Sequence, residues 1–156
     1  MKMRPVLVAI AGDRDLRLLR AHAIGEAPSA VAEFGAEDFG DVAVEFRGRG
    51  RGQSGGGGGA HGYEAHHSEA EMERARFARH AAKAIVGALE QSSGGQSGGT
   101  PLLLVAGPKM LGELRDALAG LRIAPALELG KDLVKLSPHE LAAHLDDALR
   151  QMATAG

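Results

Sequence analysis

The segment PLLLVAGPKMLGELRDALAGL, residues 101–121, decides the fold class of this chain. Its apolar run Leu102–Ala106 is typical of a β-strand that is covered on both faces. Gly107 permits a sharp turn, and Pro108 suits the first position of a helix because proline has no N–H to leave unpaired there. Leucines then recur at helical spacing, which packs one helix face back on the strand: Leu111, Leu114, Leu118 and Leu121. This strand–turn–helix unit predicts an α/β sheet around a central strand.

The first third of the chain predicts a run of antiparallel strands. Val6–Ala11 is a second continuous apolar run and a second candidate for a central strand. Gly12–Asp15 has the composition of a turn, so we expect a hairpin with Leu16–His22 as the partner strand. Further strands are predicted at Ala30–Phe34 and at the alternating residues Val42, Val44 and Phe46.

A long helix follows in the middle of the chain. Ser68 and Glu71 have the spacing of a capping box at its start. Apolar residues at helical spacing then predict a buried stripe: Phe77, Ala81, Ala84, Ile85 and Ala88.

The last third predicts a strand and a final helix. Gly120 suits the end of the preceding helix, and Pro125 makes Ile123–Leu129 an edge strand because proline cannot donate to a ladder. Ser137 and Glu140 form a second capping box, with proline at the first helical position between them. The core face of this helix is Leu141, Leu145, Ala148, Leu149 and Met152.

This order of elements predicts the topology of the sheet. Three antiparallel strands followed by right-handed α/β crossovers give a mixed sheet with helices on both faces, which is a ribonuclease H-like arrangement. We expect residues 1–156 to form one such domain, with a flexible Gly/Arg-rich loop at 47–62 and a Gly/Ser connector at 92–99.

Composition excludes several classes of protein. The formal net charge of -2 gives no global signal of nucleic-acid binding, so that any such surface is local. The absence of cysteine excludes disulfides, thiolate catalysis and zinc sites built on cysteine. The charged residues Asp13–Asp15 end the first apolar run too early for a signal peptide or a membrane span, which predicts a cytoplasmic protein that does not enter the membrane.

The stretch RGRGRGQSGGGGGAHG, residues 47–62, is the strongest local signal for a partner. Arginines on a flexible backbone reach phosphates, and such segments order on binding. The candidate RNA-binding residues are Arg47, Arg49 and Arg51 in the loop and Arg76, Arg79 and Lys83 on the long-helix face opposite the buried stripe. The plain alternative is a solvated linker beside a solvated helix surface.

Other kinds of site are less well supported. A two-metal nuclease needs carboxylates at neighbouring strand ends, but the central strand ends in Ala106–Pro108, so we interpret Asp13 and Asp15 as turn residues. Three histidines near Glu64 are possible metal ligands, although loop histidines are commonly solvated: His61, His66 and His67. We therefore predict no metal and no cofactor.

The segments PKMLGELR, residues 108–115, and KDLVKLSPHEL, residues 131–141, resemble the bacterial family of host-attachment proteins. The family pattern P-[KR]-x-L-G-x-L-R is matched by Lys109, Leu111, Gly112, Glu113, Leu114 and Arg115 after Pro108. Its second pattern, K-D-L-x-x-x-S-P-x-E-L, is matched by Lys131, Asp132, Leu133, Ser137, Pro138, Glu140 and Leu141. The family name comes from colonisation phenotypes and implies no biochemical mechanism.

That family is in turn similar to the middle domain of archaeal and eukaryotic peptide-chain release factors, which is ribonuclease H-like. The G-G-Q-S loop of the release-factor domain corresponds to Arg51–Ser54, with arginine in place of the first glycine. The R-F-A-R sequence at the start of the following helix in that domain corresponds to Arg76–Arg79. The resemblance implies Gly52 and Gln53 as catalytic residues that act on peptidyl-tRNA within the ribosome.

These observations predict an RNA- or ribosome-associated binding protein with no stand-alone enzymatic activity. One alternative is ribosome-dependent peptidyl-tRNA hydrolysis through the degenerate GGQ-like loop, and another is a protein-interaction module linked to surface colonisation. The alanine-rich helices are compatible with a homodimer, but no feature of the sequence marks an interface.

Replacing Arg47, Arg49 and Arg51 together by alanine is expected to weaken RNA binding. Because fewer phosphates would be neutralised, the affinity should also depend less steeply on salt concentration. Titrations of a labelled RNA at several salt concentrations measure both quantities. An unchanged affinity with an unchanged salt slope would contradict the role of the loop.

Overall fold

The computed structural model describes residues 2–39, 69–92 and 99–155. In these segments the chain forms a five-stranded sheet and three α-helices. The strands are β1 (Lys2–Ala11), β2 (Asp15–Ala23), β3 (Ser29–Gly35), β4 (Leu102–Ala106) and β5 (Leu127–Leu129). The helices are α1 (69–92), α2 (Pro108–Gly120) and α3 (Pro138–Ala155), and a short 3-10 helix, Ala36–Asp38, follows β3.

The sheet is mixed, with the strand order β3-β2-β1-β4-β5. β1, β2 and β3 pair antiparallel in sequence order, whereas β4 pairs parallel with β1 and β5 pairs parallel with β4. The predicted α/β class, the hairpin after Ala11 and the run of antiparallel strands are therefore confirmed.

The two apolar runs of the sequence are neighbouring central strands. Residues of β1 from Val6 to Ala11 and all of β4 are at most 2% exposed. Alternate side chains of β1 enter two separate cores. Leu7, Ala9 and Ala11 pack with α1 and α2, and Val6, Val8 and Ile10 pack with α3. Helices thus cover both faces of the sheet, as predicted.

Helix α1 buries its predicted stripe, with Ala84 half-buried at its border. Two more alanines, Ala78 and Ala82, are also buried and belong to the core that α1 shares with β1 and β4. The capping box at Ser68, the strand at 42–46, the loop at 47–62 and connector residues 93–98 lie outside the described residues.

Helix α3 begins as predicted. The Ser137 N–H donates to the Glu140 carboxylate at 3.0 Å, and the Glu140 N–H donates to the Ser137 hydroxyl at 3.2 Å. These reciprocal hydrogen bonds satisfy amides that have no partner within the helix.

None of the described helices combines the length and apolar content needed to cross a membrane.

Helix α2 ends at Gly120, as predicted, but the left-handed conformation falls two residues later at Arg122, with φ of 62°. The chain closes there through hydrogen bonds from Leu121 and Ile123 to the Leu118 carbonyl, both at 2.9 Å. The edge strand is also shorter than predicted, because regular pairing covers only Leu127–Leu129, beyond Pro125.

Replacing Leu104 by alanine should lower the free energy of unfolding by about 2–5 kcal/mol, because the fully buried side chain leaves a cavity between sheet and helices. Leu121→Ala is the matched control: this leucine is 41% exposed, and its loss should change stability by no more than about 0.5 kcal/mol. Urea unfolding followed by circular dichroism suits a chain that has no tryptophan. Equal effects of the two substitutions would contradict the central position of β4.

Candidate functional site

A charged cleft opens at the carboxyl ends of the parallel strands β1 and β4. Its volume is about 550 Å³. The turn after β1, the start of α2, the loop after β5 and one side chain of α1 form its lining: Ala11–Asp15, Gly107–Met110, Asp132, Val134–Lys135 and Arg74. In open α/β sheets, ligands bind outside the carboxyl ends of the strands, which makes this cleft the candidate site.

The parallel pairing of the central strands brings two of these segments together. Ala11 lies opposite Ala106 in the register, so that Gly12 and Gly107 leave the sheet side by side. The turn after β1 is closed by a hydrogen bond from the Gly12 N–H to the Asp15 carbonyl at 2.8 Å. Asp13 and Arg14 therefore project from the tip of a tight hairpin at the rim of the cleft.

The start of helix α2 forms the second wall. Gly107 is the N-cap residue, with φ of −63° and ψ of 163°, and no side chain of the described segments hydrogen-bonds there as a cap. Because this conformation is open to any residue and a Cβ would meet none of the described atoms within 4 Å, the turn does not require glycine. Pro108 and Lys109 follow at the positive end of the helix dipole.

The loop between β5 and α3 forms the third wall. Its turn Leu133–Leu136 is closed by a hydrogen bond from the Leu136 N–H to the Leu133 carbonyl at 3.1 Å. The Val134 side chain lies close to the hairpin. If Gly12 carried a Cβ atom, that atom would be 3.1 Å from Cγ1 of Val134. Arg17 of β2 donates from Nη1 to the carbonyls of Val134, at 3.0 Å, and Leu136. The turn is thus fixed to the sheet.

The described lining of the cleft carries more positive than negative charge. Its four cations are Arg14, Arg74, Lys109 and Lys135, and its three carboxylates are Asp13, Asp15 and Asp132. Arg74 Nε lies 3.5 Å from the Asp13 carboxylate, and the side chain of Arg74 is only 18% exposed. Arg14, Lys109 and Lys135 are exposed, so three cations remain available to a ligand.

The carboxylates do not form a metal site. Within residues 2–39, 69–92 and 99–155, no group of three or more aspartate, glutamate or histidine side chains is placed to hold a metal ion. Asp13 and Asp15 instead occupy the hairpin, as their interpretation as turn residues proposed. The arrangement is suited to contact with an anion rather than to two-metal hydrolysis.

Most of the predicted site residues lie outside the part of the chain that the structure describes. Arg47, Arg49, Arg51, Gly52 and Gln53 lie outside the described residues, as do His61, Glu64, His66 and His67. Their proposed roles in RNA binding, in catalysis and in metal binding remain predictions.

The helix candidates divide into two groups. Arg79 and Lys83 are exposed on the face of α1 that points away from the sheet, as predicted. The placement of Arg76 on that exposed face is wrong, because Arg76 is only 7% exposed. A guanidinium buried to this extent cannot reach a phosphate without movement of its surroundings, so that Arg79 and Lys83 are left as the accessible pair.

The cleft itself was missed by reasoning from the sequence, because its cations come from segments far apart in the chain. One signal was present: each central apolar run is followed directly by a glycine, Gly12 or Gly107, and then by charged or helix-starting residues. If the two runs pair in parallel, both glycines fall at one edge of the sheet.

Comparison with known protein families identifies the family of this chain. Residues 7–145 match the family described as "Protein required for attachment to host cells". The chain belongs to this host-attachment family. No curated protein matches the sequence significantly. The matched residues include the whole described lining of the cleft, from Ala11 to Lys135.

The two segments that resemble the host-attachment patterns contribute to the cleft and to the fold around it. Lys109 and Asp132 line the cleft, one from each segment. Their apolar residues are buried: Leu111, Leu114, Leu133 and Leu141. Arg115 donates from Nε to both carboxylate oxygens of Glu128 at 3.0 Å, which joins α2 to the edge strand β5.

The pair between Arg115 and Glu128 predicts a pH dependence of stability. The hydrogen bond from Arg115 lowers the pKa of Glu128 below its ordinary value of 4.5. A carboxylate whose pKa is lower in the folded state stabilises the protein above the unfolded-state pKa, and this contribution is lost as the pH falls through the folded-state value.

Glu128→Gln should therefore lower the urea midpoint at about pH 7 and have less effect at a pH well below the ordinary glutamate pKa of 4.5, because the wild-type contribution is lost progressively as the pH falls through the lowered pKa. Glu26→Gln, in an exposed turn, is the control and should have little effect at either pH. An effect of Glu128→Gln that is equal at both pH values would show that the ion pair does not contribute.

Proposed function

We propose that this host-attachment protein is an RNA- or ribosome-associated binding protein whose cleft contacts phosphates of the RNA backbone. The proposal rests on one observation above all: Arg14, Lys109 and Lys135 are exposed on one open cleft at the sheet edge. Contacts between such cations and phosphates supply most of the affinity of non-specific nucleic-acid binding.

The start of helix α2 supports the same partner. Gly107 places no side chain over the first turn of the helix, and the positive end of the helix dipole lies at the cleft. Backbone amides in this position favour phosphate. Because the cleft is only one part of the surface, we propose that the exposed pair Arg79 and Lys83 extends the contact along α1.

We also propose that the topology is ribonuclease H-like. The strand order β3-β2-β1-β4-β5 supports this proposal, with three consecutive antiparallel strands followed by two parallel ones. Helices on both faces of the sheet support it as well. An RNA partner fits the cytoplasmic location that the sequence predicts.

The cleft proposal predicts the effect of removing two cations. Lys109→Ala combined with Lys135→Ala should weaken binding of a fluorescent single-stranded RNA several-fold in an anisotropy titration. It should also reduce the slope of log affinity against log salt by about 1.4, since each phosphate contact on a single strand contributes about 0.7.

A charge-matched control separates the cleft from overall charge. Arg122→Asn combined with Arg150→Ala also removes two exposed cations, away from the cleft. Arg122 has a left-handed backbone conformation, with φ of 62°. Asparagine replaces it because asparagine tolerates this conformation better than alanine does. The control should leave affinity and slope nearly unchanged. Equal losses in both variants would contradict a specific role of the cleft.

Sedimentation of a cell lysate through a sucrose gradient then distinguishes the kind of RNA. Migration of the protein with ribosomal particles, abolished by RNase and by high salt, would support ribosome association. A protein that stays in the top fractions and that binds no RNA oligonucleotide would overturn the proposal and favour an interaction module.

A further inference from the structure

The turn that carries Lys135 is joined to β2 by hydrogen bonds from Arg17. We propose that Arg17 is a positioning residue for the cleft, which holds Lys135 in place before a ligand arrives. This inference rests on the proposed function for the identity of the ligand, but the attachment itself is independent of it.

The contact is long-range and specific in its geometry. Arg17 lies in β2, paired with Ile10 of β1, and its guanidinium reaches a turn 117 residues further along the chain. Its Nη1 atom donates to the carbonyls of Val134 and Leu136, which are the residues on either side of Lys135. The backbone of Lys135 is therefore held from both sides by one part-buried group.

The turn is also held by apolar packing, because Val134 and Leu136 pack against the core shared with α3. Leu133 is 5% exposed and belongs to the core shared with α3, while Ser137 is tied into the start of that helix by its capping box. Between these anchors, Val134 rests against Gly12 and Lys135 is exposed. Arg17 thus supplies two hydrogen bonds at the part of the turn that carries the cation.

An arginine suits this task for a physical reason. A guanidinium presents several N–H donors in a rigid plane and can serve two carbonyls at once. Hydrogen bonds from a charged donor are also stronger than neutral ones. With the turn held, Lys135 meets a phosphate without the loss of backbone freedom that a loose loop would suffer on binding.

A double-mutant cycle tests the coupling between the two residues. Arg17→Met should weaken binding of the fluorescent single-stranded RNA by about threefold to tenfold, the range expected when a segment must be ordered on binding. In a Lys135→Ala background, the same substitution should cost less than about twofold, because the group that Arg17 positions is gone. Equal losses in both backgrounds would overturn the proposal.

Arg20→Met provides the matched control. Arg20 lies three residues further along β2, is also part-buried, and donates to the Ser92 hydroxyl at 2.9 Å, away from the cleft. It should leave RNA affinity unchanged. A loss equal to that of Arg17→Met would assign the effect to general loosening or charge and overturn the role of Arg17.

Hydrogen exchange gives a readout that needs no RNA. The Leu136 amide closes the turn by donating to the Leu133 carbonyl, so it should exchange faster in Arg17→Met and at the wild-type rate in Arg20→Met. Unchanged exchange in Arg17→Met would overturn the attachment. If the wild-type protein binds no RNA while Arg17→Met exchanges faster, the proposed function falls and the attachment stands.

Arg17→Lys serves if Arg17→Met does not fold. The lysine ammonium is a compact donor that lacks the planar, forked N–H groups of arginine. Arg17→Lys should therefore also reduce the coupling to Lys135, but by less than Arg17→Met does. Wild-type affinity together with wild-type exchange at Leu136 would overturn the requirement for a guanidinium.

Discussion

The parallel pairing of β1 with β4 is the constraint on which the rest of the structure depends. Both strands are apolar along their paired length, so both faces of the sheet must be covered there. Helices α1 and α2 cover one face and α3 covers the other. The same pairing places the carboxyl ends of both strands at one edge of the sheet, where Gly12 and Gly107 line the cleft.

Much of the fold follows from local patterns in the sequence. The run Leu102–Ala106 became β4 with its predicted bounds, and Ser137 and Glu140 form the predicted capping box. These features were predictable because burial of an apolar run and capping of a helix are decided by a few adjacent residues. The family assignment likewise agrees with the two resembling segments.

The differences arise where distant residues decide the outcome. Arg76 lies on the predicted outer face of α1 by helical periodicity but is buried, because periodicity alone does not show what the rest of the chain places over a helix. The left-handed residue after α2 is Arg122 rather than glycine, since hydrogen bonds to the Leu118 carbonyl hold the chain there. The cleft, and the hydrogen bonds from Arg17 to the turn that carries Lys135, depend on contacts between segments far apart in the chain, which local patterns alone do not predict.

The N-cap of α2 shows a trade-off between stability and access. Serine or aspartate at Gly107 would fit sterically among the described atoms and would cap the helix, at a gain of a few tenths of a kcal/mol over glycine. Such a side chain would also occupy the mouth of the cleft and would compete with any incoming anion for the same amides. With glycine at the N-cap, the helix start is therefore less stable than a serine or aspartate cap would make it, and no capping side chain covers the first backbone amides beside the cleft.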